Sequence, residues 1–386
     1  MTVHCLMRIV MGYSNTVSSA GVGQELETAA LRIAVLAPLA WRVPPRHYGP
    51  WELFASLLTE GLVARGHNVT LFASADSITN AHLSSETMTG WSEDVTIDPK
   101  VAECMHIASV FERSDEFDII HNSFDFLPLT YSALVDTPVV TTLHGFSSER
   151  IVKVYQRYNS NGSYVSISDA DRHPLLHYAA TIHHGIDTSA FGLGDHPGED
   201  LLFFGRIHPD KGTAVAIEVA RRARRRLTIA GIVQDEDYFR NEILPHIDGK
   251  NVTFLGPIGG TQRHELLGSS HALLHLIDFD EPFGFSVVEA MASGTPVIAF
   301  DRGSMTELID DGVTGFVVQD IAAAVSAVDK ANGLLRPLIR DIAVVRFDSN
   351  RMVDEYVELY RRVLGEVSPP IDLGTGISAQ PELVAR

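Results

Sequence analysis

From Leu31 onward, short runs rich in β-branched and aromatic residues alternate with longer runs of helical periodicity. This alternation predicts βαβ units that build a parallel sheet covered on both faces. The strand-like runs of the first series are "RIAVLAPLA", "NVTLFAS", "FDIIHNS", "PVVTTLHG", "YVSIS" and "TIHHGI", and "WELFASLLTEGLVARG" reads as a helix that stops at Gly66. A Gly-, Asp- and Pro-rich passage, "FGLGDHPGED" at 191–200, then breaks the pattern as a linker would. A second series follows, with strands in "DLLFFGRI", "RLTIAGIV", "NVTFLGPI", "HALLHLI", "TPVIAFD" and "TGFVVQD". The chain therefore reads as α/β, with two Rossmann-like halves over 31–190 and 201–346. An amphipathic helix closes it over 347–366, after an extension over 1–30 and before an unstructured tail over 367–386.

Length agrees with two halves, because 386 residues exceed what one core usually supports. No apolar run approaches the ~18–20 residues of a membrane helix. A formal charge of −19 argues against nucleic acid as a partner, so an anionic ligand must be met by a local basic cluster. The two cysteines, Cys5 and Cys104, lack C-x-x-C spacing. They support neither a disulfide framework nor a cysteine-ligated zinc, and a reducing cytoplasm fits best. Arg8 interrupts the apolar "CLMRIVM", so residues 1–30 do not form a clean signal peptide.

Four stretches carry chemistry. In "FFGRIHPDKG" a strand ends at Gly205, and Arg206 and Lys211 flank a turn into a helix. Two cations and free N–H groups at a strand's carboxyl end suit a pyrophosphate, although an isolated copy is more often a pair of surface cations. "EPFGFSVVEA" sets Glu281 on a loop and Glu289 about one and a half turns into a helix that starts near Gly284. "TTLHGF" ends a strand of the first half at His144, and "VPPRHYGPWE" places Gly49 before a helix, where a missing Cβ allows close backbone approach. Three features are distractors. "DFD" at 278–280 imitates a metal-binding pair of aspartates. The cations of "RRARRR" at 221–226 suit a helix C-terminus better than a lipid surface, which leaves peripheral membrane contact as the lesser reading. His271 and His275 stand roughly 13 Å apart along a strand, too far to share an ion, and read as structural.

In this order the stretches resemble the retaining GT-B glycosyltransferases of family four, over most of the chain from Leu31 to about Leu364. The family's E-x7-E signature is met by Glu281 and Glu289, and its G-R-x4-K-G motif by Gly205, Arg206, Lys211 and Gly212. The opening-loop motif is met by Pro44, Pro45, Gly49 and Glu52, but Pro50 replaces its second glycine, and "HHGID" carries His184 where asparagine is usual. The resemblance implies two domains facing each other across a donor cleft, with the closing helix packed back on the first. It implies that Arg206 and Lys211 hold the diphosphate, that Glu289 binds the ribose, and that Glu281 orients the donor sugar with His144 opposite. Gly49, Gly205 and the backbone of Phe283, Gly284 and Phe285 would complete the donor site. The activity implied is transfer of a hexose from a nucleotide diphosphate sugar, UDP-glucose or a relative, to an acceptor with retained configuration and without a metal or other cofactor. A same-fold disaccharide phosphorylase or synthase and a non-catalytic nucleotide-sugar binder are the alternatives.

Overall fold

The computed structural model describes residues 29–46, 49–146, 148–194 and 198–365. The expected tail, and all but the last two residues of the expected extension, lie outside them. The first sheet contains β1 (Arg32–Leu36), β2 (Asn68–Phe72), β3 (His82–Ser84), β4 (Ile119–Asn122), β5 (Val139–Leu143), β6 (Ser163–Ser166) and β7 (Tyr178–Thr181). Its strand order is β3-β2-β1-β4-β5-β6-β7. The second contains β8 (Leu201–Phe204), β9 (Leu227–Ala230), β10 (Val252–Phe254), β11 (Ala272–His275), β12 (Val297–Phe300) and β13 (Gly315–Val318), in the order β10-β9-β8-β11-β12-β13. All ladders are parallel, and the strands between β1 and β5 and between β8 and β12 are buried on both faces, as doubly wound sheets require. The order reverses between β1 and β4 and again between β8 and β11. These are the two crevices in which open α/β sheets bind ligands.

The closing helix, Ser349–Val363, belongs to the core of the first half. Met352, Val353, Tyr356, Leu359 and Tyr360 repeat at helical spacing and bury against Leu58 and Leu62 of helix Pro50–Ala64. Two of its hydroxyls are anchored as well: the Tyr356 hydroxyl lies 2.7 Å from the Thr142 hydroxyl, and that of Tyr360 lies 2.7 Å from His121 Nδ1. The chain crosses between halves twice, and the crossings are paired. Ile186 N–H donates to the Phe347 carbonyl at 2.8 Å and Ser349 N–H to the Ile186 carbonyl at 2.9 Å. A Cβ at Gly185 would stand 2.5 Å from Ser349 Cα, so only glycine lets the two backbones approach this closely.

One expectation is corrected. "TIHHGI" is not a strand, because β7 ends at Thr181 and residues 183–187 leave the sheet. Their carbonyls turn to the closing helix instead, where Arg351 donates to the His183 carbonyl at 2.6 Å. The described ends of the expected linker, 191–194 and 198–200, are anchored. Phe191 is buried in the second core, and Gly198 N–H donates to the Ser269 carbonyl at 2.7 Å. Among the described residues no helix is long and apolar enough to cross a membrane.

Candidate active site

The β8–β11 crevice is built from the two motif loops. After β8, Gly205 leads through a short turn to Gly212, whose φ of 73° is left-handed and whose absent Cβ would overlap the Leu276 carbonyl. That turn seats Lys211 over the loop following β11. Its Nζ donates to Glu281 Oε2 at 2.7 Å, and it lies 4.4 Å from the centre of the Phe279 ring. Burial would raise the Glu281 carboxyl, but the neighbouring His275 and the Lys211 ammonium outweigh it and hold it at about 2. His275 Nε2 faces Glu281 Oε2 at 3.6 Å, a longer contact than that of Lys211. Arg206 points away from this pair and donates to the side-chain oxygen of Gln234. The structure thus joins Lys211 to Glu281 and leaves Arg206 at the rim.

Helix Phe285–Ala292 begins at Gly284, which adopts a φ of 105° and offers no side-chain cap, so its first-turn amides face the crevice mouth. The rings of Phe283 and Phe285 pack on His184, the latter stacked at 5.1 Å, which leaves only their backbones for a ligand. Glu289 is buried within this helix and accepts from Arg263 through Oε1, while Oε2 has no protein partner. Burial among Phe191 and Phe204 pushes Arg263 down to about 10. Glu289→Ala is therefore expected to destabilise the protein as well as weaken nucleotide binding. An unpaired buried guanidinium costs about 3–5 kcal/mol, whereas an apolar pair, Glu289→Leu with Arg263→Met, restores much of it. A thermal melt of the three proteins decides this; equal melting temperatures would remove the pair from the account of the core.

From the first half, the loop after β5 reaches the same crevice. A Cβ at Gly145 would meet Pro282 Cγ at 2.9 Å. His144 stacks on Trp51 at 5.2 Å and lies 3.2 Å from His184 Nε2 through Nδ1. Burial lowers it to about 3, which keeps it neutral, and its Nε2 has no protein partner. Ser168 Oγ donates to the Pro282 carbonyl at 2.7 Å. Glu307 clasps the first half from the other side, accepting from the amides of Asp169 and Ala170 at 2.9 and 2.6 Å and pairing with His183 Nε2 at 3.0 Å. Gly49 caps helix Pro50–Ala64 with a φ of 150°. Pro50 occupies the first helical turn, where its fixed φ and missing N–H are favourable, so the departure from the loop motif starts the helix without loss.

Sequence reasoning missed three of these residues. His275 was expected to be a satisfied structural histidine, and it instead borders Glu281. His271 does fill that role through the Val328 carbonyl. Arg263 carries no signal of its own, and Glu307 lies in the "GSMTELI" segment, which resembles a family motif but assigns it no role. The distractors are occupied elsewhere: Asp280 accepts from Gly303 N–H at 3.2 Å, and Asp278 lies 3.8 Å from Arg302. Arg221 and Arg222 bind Glu218, and Arg226 binds Asp200.

Residues 191–336 match the family model described as "Glycosyl transferases group 1". The phosphatidyl-myo-inositol mannosyltransferase of Mycobacterium tuberculosis is 25% identical over 382 residues, covering 87% of this chain and 98% of its own length. Among solved structures, AviGT4, a glycosyltransferase involved in avilamycin A biosynthesis, superposes with a TM-score of 0.65 at 24% identity, over 87% of this chain and 99% of that one. Anabaena HepE in complex with UDP and glucose does so with a TM-score of 0.66 at 20% identity, over 85% and 98%. These likenesses identify the fold as GT-B.

Proposed function

We propose that this chain, which matches the group 1 glycosyl transferase family model over residues 191–336 and has a GT-B fold, moves a hexose from a nucleotide diphosphate sugar, UDP-glucose or a related donor, to an acceptor with retention of configuration and without a metal. The observation that carries this reading is the Lys211–Glu281 pair at the β8–β11 crevice. The diphosphate lies along the free amides that begin helix Phe285–Ala292, with Lys211 and Arg206 balancing charge that grows on the leaving group. A buried, fully ionised Glu281 accepts from donor hydroxyls, and the unpartnered oxygen of Glu289 accepts from the ribose. His144, neutral at physiological pH, offers its Nε2 from the opposite half. Retention follows from attack on the face the leaving group vacates, with a donor phosphate oxygen taking the acceptor's proton. The exposed free thiol of Cys104 suits a reducing compartment such as the cytoplasm.

A mannosyl donor is the second reading, favoured by the near full-length similarity to a mannosyltransferase. Calorimetry with UDP, GDP and ADP separates the two, because a nucleotide that binds tightly also raises the melting temperature by mass action. Binding of none of them would overturn the assignment. Because Lys211 and Arg206 do the work of a cation, turnover in EDTA is expected to match the untreated enzyme within about twofold, a barrier difference of only ~0.4 kcal/mol. Strict inhibition rescued by Mg²⁺ or Mn²⁺, with Asp280→Ala as damaging as Glu281→Ala, would point instead to a metal at the "DFD" loop.

A further inference from the structure

The other crevice, between β1 and β4, holds a cavity of about 500 Å³. Its walls are the loop that follows β1, the loop that follows β4, and one side of helix Pro99–Phe111. Trp41, Trp51 and Trp91 all line it, and these are every tryptophan in the chain. Glu52, Glu103 and Asp125 are the ionisable groups among its described lining residues, which include no lysine, arginine or histidine. Glu103 accepts from Trp91 Nε1 at 3.1 Å, fixing that ring's plane. Asp125 sits at a φ of 110°, a strained conformation for a residue other than glycine, and is held there by a hydrogen bond from the Tyr155 hydroxyl. The cavity adjoins the donor crevice through a short chain of contacts: Trp51 stacks on His144, and Gly145 abuts Pro282 of the donor loop.

Flat indole faces beside carboxylates match a ring with apolar C–H faces and hydroxyls at its edge. The same walls oppose a phosphate. The three carboxyl side chains offer it no counter-charge, and the described lining residues include no cation that would neutralise it. We propose that this cavity is the acceptor site, and that the acceptor unit it takes is a sugar or cyclitol ring free of phosphate. This rests on the glycosyltransferase reading of the neighbouring crevice. It sets the chain apart from the mannosyltransferase relative, whose name gives it a phosphatidyl-inositol acceptor. Burial raises Glu52 to about 7 and also raises Glu103 and Asp125, as expected where no counter-charge is present.

Because the tryptophans are confined to this cavity, intrinsic fluorescence reads it without reference to turnover. The full chain is titrated with methyl glucoside, myo-inositol and glucosamine, and with glucose 6-phosphate and inositol 1-phosphate. At least one phosphate-free probe is expected to saturate the emission change, with its phosphorylated counterpart at least tenfold weaker. Glu103→Gln, folded as judged by its melt, is expected to weaken the phosphate-free probe at least fivefold and to narrow that ratio. A phosphorylated probe that binds as tightly, an unchanged ratio in the variant, or no response to any phosphate-free probe would overturn the proposal. UDP, GDP and ADP binding measured by calorimetry on the same preparation tests the donor crevice separately. Its failure would count against the activity, while a negative fluorescence titration with intact nucleotide binding would count against the acceptor class alone.

Discussion

Replacing Lys211 by alanine is expected to lower kcat/KM by roughly a thousandfold. A preorganised cation aimed at developing charge in a water-poor crevice is worth about 3–4 kcal/mol. The effect falls on kcat more than on KM, because the diphosphate gains charge only as the bond to the sugar breaks. A second consequence comes from Glu281. With its ammonium gone, His275 alone opposes burial, the carboxyl rises from about 2, and donor hydroxyls lose part of a charged acceptor. Lys211→Arg restores the charge but not the fit, since a planar fork cannot replace a point donor at 2.7 Å. Arg206→Ala is the matched control: its side chain is half-buried and bonded to Gln234, so the melt stays put while kcat/KM falls about a hundredfold. Steady-state kinetics of the three variants with a fixed donor decide the matter, and near-normal kcat/KM in Lys211→Ala would end the diphosphate assignment.

Acid is expected to unfold this protein early. Burial lowers His106 to about 4, His121 and His144 to about 3, and holds His184 well below its ordinary value. In the unfolded chain each titrates near 6.5, so the unfolded state takes up protons first and stability falls as pH drops below that value. Glu52 and Asp171 act in the opposite sense. Burial raises both to about 7, so their neutral forms contribute stability as pH falls from there toward the ordinary carboxyl range. Four protons against two leave a net uptake of about two on unfolding between pH 6 and 5, or roughly 2–3 kcal/mol lost per pH unit. The raised carboxyls cease to compensate below about pH 4.5, where the depressed Glu281 joins the losing side. From pH 6.5 to 4.5 the loss sums to roughly 4–6 kcal/mol, a large part of a total stability of about 5–15 kcal/mol. Circular dichroism melts from pH 7.5 to 4 should show a steady fall that steepens below pH 5. A flat melting temperature between pH 7 and 5 would show that the buried histidines are protonated in the folded protein.

The elements that announce themselves in the sequence are those that end in a constrained turn. β8 and helix Phe285–Ala292 run into Gly212 and out of Gly284, positions where backbone geometry admits little besides glycine, so motif and structure coincide. β7 is different. "YAAT" has little strand character, lies at the sheet edge with one neighbour, and forms because β6 supplies a ladder. The stronger-looking "TIHHGI" is drawn off by contacts with a helix more than 160 residues away, which no local pattern encodes. The same holds at the site. Lys211 and Glu281 sit in recognisable motifs, but Arg263 and His275 acquire meaning only once β8 and β11 lie side by side. The tryptophan-lined cavity joins residues 38–41, 49–52, 91, 103 and 124–127, each stretch unremarkable by itself.

The paired crossings at Ile186 and Asp348 constrain how the two halves can move. Two strands of chain held together by backbone hydrogen bonds, with Gly185 pressed on Ser349, form a hinge with a single axis, where two separated tethers would permit sliding as well. The closing helix stays with the first half, so the moving body is the span from about Thr188 to Phe347. Rotation about that axis would part Pro282 from Ser168 and Glu307 from Asp169 and Ala170, while the hinge bonds themselves remain intact. Under the proposed function, donor entry and closure over an acceptor would then be one rotation, with the loop carrying Glu281 on the edge that moves.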